Sequence, residues 1–401
     1  MSASLFSAVE MAPHDPILGV TEAFHADPNP NKVNLGVGVY IDDNGKVPVL
    51  ECVRRAEREM AAADAAHSYL PIEGLKSYDR AAQDFLFGIE HPAVKEGRIV
   101  TVQAIGGTGA IKLGADLLRR INPDAGVWIS DPSWENHQAI FEYAGYSVST
   151  YPYYDADSHG VRFDAMLDAL RGMPSGSVVV LHACCHNPTG LDLTEAQWAR
   201  VIEVVTARGL VPFLDIAYQG FGDGIDADAQ AVRRMSEVCG TVFVASSFSK
   251  SLSLYGERVG ALSIVTGDAT EVPRVLSQIK RVIRTNYSSP PSHGGQAAAM
   301  VLANPELRAL WEQELGGMRD RIKTMRRQFV DKIRAIRADF DFSFVIEQRG
   351  MFSYSGLSRE QVRRLRSEYS VYALESGRVC IAALNSRNID YVTKAVANVL
   401  V

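Results

Sequence analysis

The sequence predicts an α/β protein: a large domain on a mostly parallel sheet and a smaller α+β domain joined by one long helix. Three observations carry this. Short runs rich in Val and Ile alternate with helical patterns through the middle of the chain. Those runs are mostly apolar rather than alternating, as in strands covered on both faces. Beyond Pro305 the pattern changes to apolar residues at three- and four-residue steps, the mark of an amphipathic helix. The chain has 401 residues, 47% hydrophobic and 22% charged, a soluble globular balance. At roughly 100–200 residues per domain, two or three folding units are expected.

Taken in order, residues through Ala12 read as an arm. Strands are predicted at Ile99–Gln103, Val127–Ile129, Val178–Leu181, Leu210–Leu214, Thr241–Ala245 and Ala261–Val265. Helices are predicted from the glycine-rich segment at Gly106 to about Ile121, and at Asn136–Tyr143, Phe163–Leu170 and Glu195–Ala207. Such alternation builds a parallel sheet covered by helices. The long helix runs from Pro305 to Ile336, with Leu307, Trp311, Leu315, Ile322 and Phe329 on its apolar stripe. A strand region at Phe342–Ile346, a helix at Arg359–Tyr369, short strands near Val371 and Val379, and a helix from Asp390 complete the smaller unit.

Lys and Arg number 41 against 47 Asp and Glu, a net charge of -6. Nucleic-acid binding needs a basic surface, so nucleic acid is not the expected partner. The five cysteines show no repeated spacing, which suits a reducing compartment. The N-terminus lacks a basic start followed by an apolar run, so no secretory signal is read. The uncharged stretch from Gly172 to Leu191 is broken by Pro, Asn, His and Gly and is no membrane span. A cytoplasmic protein is expected.

Ligands of open α/β sheets sit beyond the carboxyl ends of the strands. After the strand at Val178 come His182, Cys184-Cys185-His186 and Asn187-Pro188-Thr189-Gly190; after that at Leu210 come Asp215 and Tyr218; after that at Thr241 come Ser247 and Lys250. Three strands thus deliver polar groups to one edge. A desolvated lysine, or one beside a cation such as Arg258, becomes a nucleophilic amine. Gly107 and Thr108 open a helix whose free N–H groups suit a phosphate. Trp134, just after a strand, suits stacking on a planar ligand. Arg284, in a loop-like setting, and Arg378 suit a ligand with two carboxylates. A zinc reading of the His182–His186 cluster fails: adjacent Cys184 and Cys185 would point to opposite faces of an extended segment. No Cys-x-x-Cys pair exists, and no metal is expected.

A buried-type lysine, an aspartate on the neighbouring strand, a phosphate cradle and a stacking aromatic describe a pyridoxal-phosphate pocket. With them stand Asn34-Leu35-Gly36-Val37-Gly38-Val39-Tyr40, Tyr69-Leu70-Pro71-Ile72-Glu73-Gly74, His186-Asn187-Pro188-Thr189-Gly190, Asp215-Ile216-Ala217-Tyr218-Gln219-Gly220-Phe221, Ser247-Phe248-Ser249-Lys250, Leu254-Tyr255-Gly256-Glu257-Arg258-Val259-Gly260 and Asn286-Tyr287-Ser288-Ser289-Pro290-Pro291. In these motifs the chain resembles, nearly end to end, the class I aspartate/aromatic aminotransferases of fold type I. The likeness is nearest to the bacterial aromatic branch, Ser289 standing where aspartate-specific members tend to have Asn.

The resemblance implies an arm at 1–12, a small domain at 13–45 and 306–401, and a large cofactor domain at 46–305. It implies pyridoxal 5'-phosphate held on Lys250, which would also shuttle the proton at the substrate Cα. Asp215 would pair with the ring nitrogen, Tyr218 and Asn187 with the ring 3-oxygen, and Trp134 would stack on the ring. His137 and His182 would support Asp215. Gly107, Thr108, Ser247 and Arg258 would hold the phosphate, with Tyr69 from a partner subunit. Arg378 would bind the substrate α-carboxylate, and the partner's Arg284 a distal one. Gly38 would lie where the small domain closes. The implied function is transfer of the amino group of tyrosine, phenylalanine and aspartate to 2-oxoglutarate by a homodimer with shared sites. The alternatives are a strict aspartate aminotransferase and a lyase of the same fold. The second carboxylate clamp favours a transaminase over a lyase, and no DNA-binding unit supports a regulator.

Overall fold

Seven strands form the main sheet: β1 (Ile99–Ile105), β2 (Val127–Asp131), β3 (Val148–Pro152), β4 (Val178–His182), β5 (Val211–Ile216), β6 (Val242–Ser247) and β7 (Val259–Val265). They come from a computed structural model that describes residues 4–12 and 18–400. Their order across the sheet is β1-β7-β6-β5-β4-β2-β3. Only β7 runs against its neighbours; the remaining adjacent pairs are parallel.

The apolar runs have their explanation in the two faces. Val178 and Val180 of β4 enter one core cluster with the helices Gly106–Ile121 and Val272–Asn286, while Val179 and Leu181 enter another. Successive side chains point to opposite faces, so a sheet covered on both sides requires apolar residues throughout. The second cluster continues without a break into the C-terminal third.

The helix Pro305–Ile336 forms as its periodicity predicts, with Leu307, Trp311, Leu315, Ile322 and Phe329 buried. The Asn304 side chain caps it by accepting from the N–H groups of Glu306 and Leu307, satisfying donors left free in the first turn. Val33–Asn34 pairs in parallel with Val371–Tyr372, tying the N-terminal segment to the C-terminal third. Phe352–Tyr354 pairs antiparallel with Arg378–Cys380. Residues 4–12 of the expected arm are exposed; residues 13–17 of the expected small domain lie outside the described residues.

Several expectations are corrected. Phe342–Ile346 is not a strand. Asp341 accepts from the Ser343 N–H, and one helical turn, Phe344–Glu347, follows; burial of Phe342 and Val345 accounts for the apolar run. Arg284 is not in a loop but in the last turn of Val272–Asn286, whose Val272, Val275, Leu276, Ile279 and Ile283 carry the helical period. Cys184 and Cys185 do not diverge. Their sulfurs lie within 4.8 Å of each other, because Cys185 has φ 51°. β3 escaped notice because it is an edge strand whose Ser149 and Thr150 are exposed.

Candidate active site

β4, β5 and β6 are parallel neighbours, and their ends place His182 opposite Asp215 in register, with Ser247 alongside. β7 enters the sheet at the edge where these strands leave it, so Arg258, just before β7, arrives among them. β1 ends there too, and its helix Gly106–Ile121 starts at the same edge. The Gly106 N–H donates to the Arg258 carbonyl at 2.9 Å. A Cβ on Gly260 would collide with the Gly106 carbonyl carbon, so glycine is what lets this crossing close.

The result is a cavity of about 480 Å³. Lys250, Asp215, Tyr218, Ser247, Arg258, Gly107, Thr108, Trp134, Asn187, Arg378 and Gly38 all line it. Tyr69 and Arg284 do not. Tyr69 is 96% exposed and lines a separate hollow with Tyr287 and Ser288–Ser292. Arg284 is exposed and donates to the Ser288 hydroxyl. The lining also includes Tyr255, Phe352, Cys184 and Ser249, which sequence reasoning gave no role. For Phe352 the signal was absent, since an apolar side chain near a strand reads as core. Tyr255 stood inside a motif already singled out.

Lys250 is half-buried, with its ammonium 4.6 Å from the centre of the Tyr218 ring, and among the described residues no carboxylate pairs with it. Burial, then the charges of Arg258 and Arg378, outweigh Asp215 and bring its pKa down from 10.5 to about 8. Asp215 moves the other way. Burial pushes it up, but the hydrogen bond and charge of His137 hold it below the usual carboxylate range. His137 Nε2 lies 2.9 Å from Asp215 Oδ2, and its Nδ1 lies 2.9 Å from the Ser133 hydroxyl. His182 makes no such bond. Its ring sits 4.8 Å from His137 and 4.3 Å from His186, and both its nitrogens are buried without partners. Burial drives its pKa well below the ordinary value, so it stands behind Asp215 as a neutral ring.

Arg258 donates to the Ser249 hydroxyl at 3.3 Å and the Tyr255 carbonyl at 3.2 Å, and no carboxylate among the described residues neutralises it. Tyr255 is fixed in turn by the Tyr40 N–H at 3.0 Å. Arg378 is 3% exposed. It donates to Asn187 Oδ1 at 3.0 Å and the Gly36 carbonyl at 2.6 Å, and stacks 4.1 Å from the centre of the Phe352 ring. Its Nε has no partner. Two arginines with no carboxylate within ion-pair distance among the described residues, Glu135 acting on Arg378 through its charge, therefore face a cavity holding an ionised aspartate and an easily deprotonated lysine.

The sequence model described as "Aminotransferase class I and II" matches residues 30–396. The chain belongs to the class I and II aminotransferases. It is 60% identical over 397 residues to an aspartate aminotransferase of Pseudomonas aeruginosa, covering 99% of this chain and 100% of that one. It is 50% identical to a tyrosine aminotransferase of Klebsiella pneumoniae, at 99% and 100% coverage. Among solved structures it resembles an aromatic-amino-acid aminotransferase from Burkholderia pseudomallei covalently bound to pyridoxal phosphate. That match has a TM-score of 0.97 and 62% identity, and covers 100% of both chains. For an aminotransferase the fold is thus α/β, fold type I. No helix among the described residues is long and apolar enough to cross a membrane.

Proposed function

We propose that this aminotransferase uses pyridoxal 5'-phosphate to move the amino group of tyrosine, phenylalanine and aspartate to 2-oxoglutarate. One observation carries the reading: Lys250 shares a single cavity with an ionised Asp215 and with Arg258 and Arg378, neither of which has a carboxylate within ion-pair distance among the described residues. The donor set fits the cofactor. Arg258, Ser247 and the start of the helix at Gly106 offer a cationic, N–H-rich end for a phosphate dianion. Asp215, kept ionised by His137, suits a protonated ring nitrogen, and Trp134 and Ala217 line the space around a flat ring.

Pyridoxal phosphate, when bound, supplies an aldehyde for amines and a ring that accepts the electrons released at the substrate Cα. Lys250 would hold the cofactor until substrate arrives and would then move the proton between the substrate Cα and the cofactor C4′. Its low pKa keeps the neutral amine available for that transfer. Asp215 would keep the ring nitrogen protonated, held in place by His137, which Ser133 holds in turn. Tyr218 and Asn187, which line the cavity, would hydrogen-bond the ring 3-oxygen. Arg378 grips the α-carboxylate through N–H groups that now face Asn187 and the Gly36 carbonyl.

Tyr69 and Arg284 lie outside this cavity, which supports a homodimer in which each is given to the partner's site. The small domain at 13–45 and 306–401 supplies Gly38, Phe352 and Arg378 and closes on the large domain at 46–305. A cytoplasmic location accords with five free, buried cysteines. The relatives' names divide between aspartate and aromatic substrates, and a strict aspartate enzyme is the second reading. Single half-reactions with phenylalanine and aspartate decide: both should convert the cofactor, and inertness toward phenylalanine selects the second. Borohydride reduction with peptide mapping should fix the cofactor on Lys250; label on another lysine sinks the assignment.

A further inference from the structure

Arg326 sits inside the long helix Pro305–Ile336 and is 2% exposed. No carboxylate among the described residues lies within ion-pair distance of it. Its neighbours on the helix face, Ile322, Met325, Phe329 and Val330, are buried and apolar, so packing alone would have accepted Leu or Met there. A buried guanidinium without a counter-ion is costly to keep. What it receives in return is on one short segment. It donates to the Val345 carbonyl at 3.4 Å, the Gly350 carbonyl at 2.6 Å, the Phe352 carbonyl at 2.7 Å and the Ser353 hydroxyl.

That segment is the wedge behind Arg378. The Phe352 ring lies under the Arg378 guanidinium at 4.1 Å, edge-on to Tyr218 at 5.9 Å, and so close to Gly38 that a Cβ there would sit 2.6 Å from Cζ. On its other side the segment meets the loop that carries Asn187. The Arg349 N–H donates to the Gly190 carbonyl at 2.6 Å, and a Cβ on Gly190 would lie 2.7 Å from the Phe352 carbonyl oxygen. Arg378 therefore rests on Phe352 and leans on Asn187, and both supports meet a backbone pinned by Arg326.

We propose that Arg326 is a positioning residue for carboxylate recognition: by gathering the acceptors of residues 345–353 it sets the plane of Phe352 and hence of Arg378. The inference rests on Arg378 as the holder of the α-carboxylate. Arg326→Lys keeps the charge but offers three N–H donors in place of the guanidinium fork. The loaded enzyme is titrated calorimetrically with 3-phenylpropanoate, an aromatic carboxylate with no amine to react. Arg326→Lys should weaken binding about 10- to 100-fold, the weight of a hydrogen bond to a charged group, while cofactor content stays at the wild-type level. The loss should also be less than additive with Arg378→Lys, as for coupled neighbours.

Wild-type affinity in a less heat-stable Arg326→Lys would mean a purely structural arginine and overturn the inference. So would additive losses. If Arg326→Lys does not fold, Ser353→Ala removes one acceptor only: weaker binding in it supports the inference, and unchanged binding overturns it. Arg378→Leu separates the two layers. If it binds 3-phenylpropanoate normally, the carboxylate reading falls and takes the inference with it; if it alone weakens binding, only the inference falls.

Discussion

At Lys250 the ammonium has lost much of its water without gaining a carboxylate partner, and its pKa of about 8 is the consequence. The cofactor-free protein should therefore form its covalent link to pyridoxal phosphate at a rate that rises through pH about 8. Stopped-flow absorbance against pH measures this, and a midpoint near the ordinary 10.5 would refute it. Asp79 shows the opposite case. Its Oδ1 is buried without a partner, and burial plus the nearby Glu73 push its pKa from 3.8 up to about 8. The folded state then binds more protons than the unfolded one between these values, so stability falls as pH rises across that window. Asp79→Asn should stabilise the protein by about 1–3 kcal/mol near neutral pH, with the gain shrinking toward pH 4. Thermal melts at both ends test it; a gain that does not depend on pH would contradict the linkage. Site residues of this kind were only half legible. Lys250 follows a strand in the sequence, Asp215 stands at the end of one and Arg258 precedes one, whereas the lack of a carboxylate within ion-pair distance of Arg258, Arg326 and Arg378 among the described residues exists only once distant segments meet.

Among the elements, buried parallel strands were readable because both faces of the sheet are covered. The exposed edge strand β3 and the single turn at Phe344 were not, because neither carries a periodic signal of its own. The helix Val272–Asn286 does carry one, and it changes how Arg284 is understood. Its backbone is fixed by the last helical turn, leaving the side chain and the Ser288 bond as the movable parts. An unpaired buried arginine facing an aromatic ring would be expensive, since breaking a buried charge pair costs about 3–5 kcal/mol. Arg284 should thus turn inward for acidic substrates and outward for aromatic ones. Arg284→Leu should cut the aspartate and 2-oxoglutarate half-reactions by about 10²-fold or more, consistent with losing a charged hydrogen-bond pair, and spare phenylalanine. Equal losses on aspartate and phenylalanine would refute this switch.

For the whole molecule, the arm exposes Leu5, Phe6, Val9 and Met11, and Tyr69 stands almost fully in solvent. Apolar groups left in water at this density call for a covering surface, and a second copy is the covering the proposed homodimer supplies. Mixing Lys250→Ala with Arg284→Leu tests the sharing. One site of each hybrid would hold both intact residues, so aspartate turnover should recover toward about a quarter of wild type when half the molecules are hybrids with one good site, with subunit exchange proved separately by mass spectrometry as for any concentration-dependent assembly. Exchange without recovery would place both residues in the same subunit's site.

The reversed strand β7 has a consequence for the connectivity of the chain. The backbone leaves the sheet at Ser247 and returns at Val259, with Gly260 in register with Ser247. Lys250 and Arg258 thus ride on a single excursion whose two feet are laddered side by side. At its far end Gly256 is exposed and has no heavy atom near its Cβ position. Across the excursion Arg258 donates to the Ser249 hydroxyl and the Tyr255 carbonyl of the opposite limb. In a chain cut at Gly256 the ladder between the feet and these cross-limb bonds should still keep Lys250 and Arg258 side by side, so the two limbs clasp each other without needing the peptide bond at the apex.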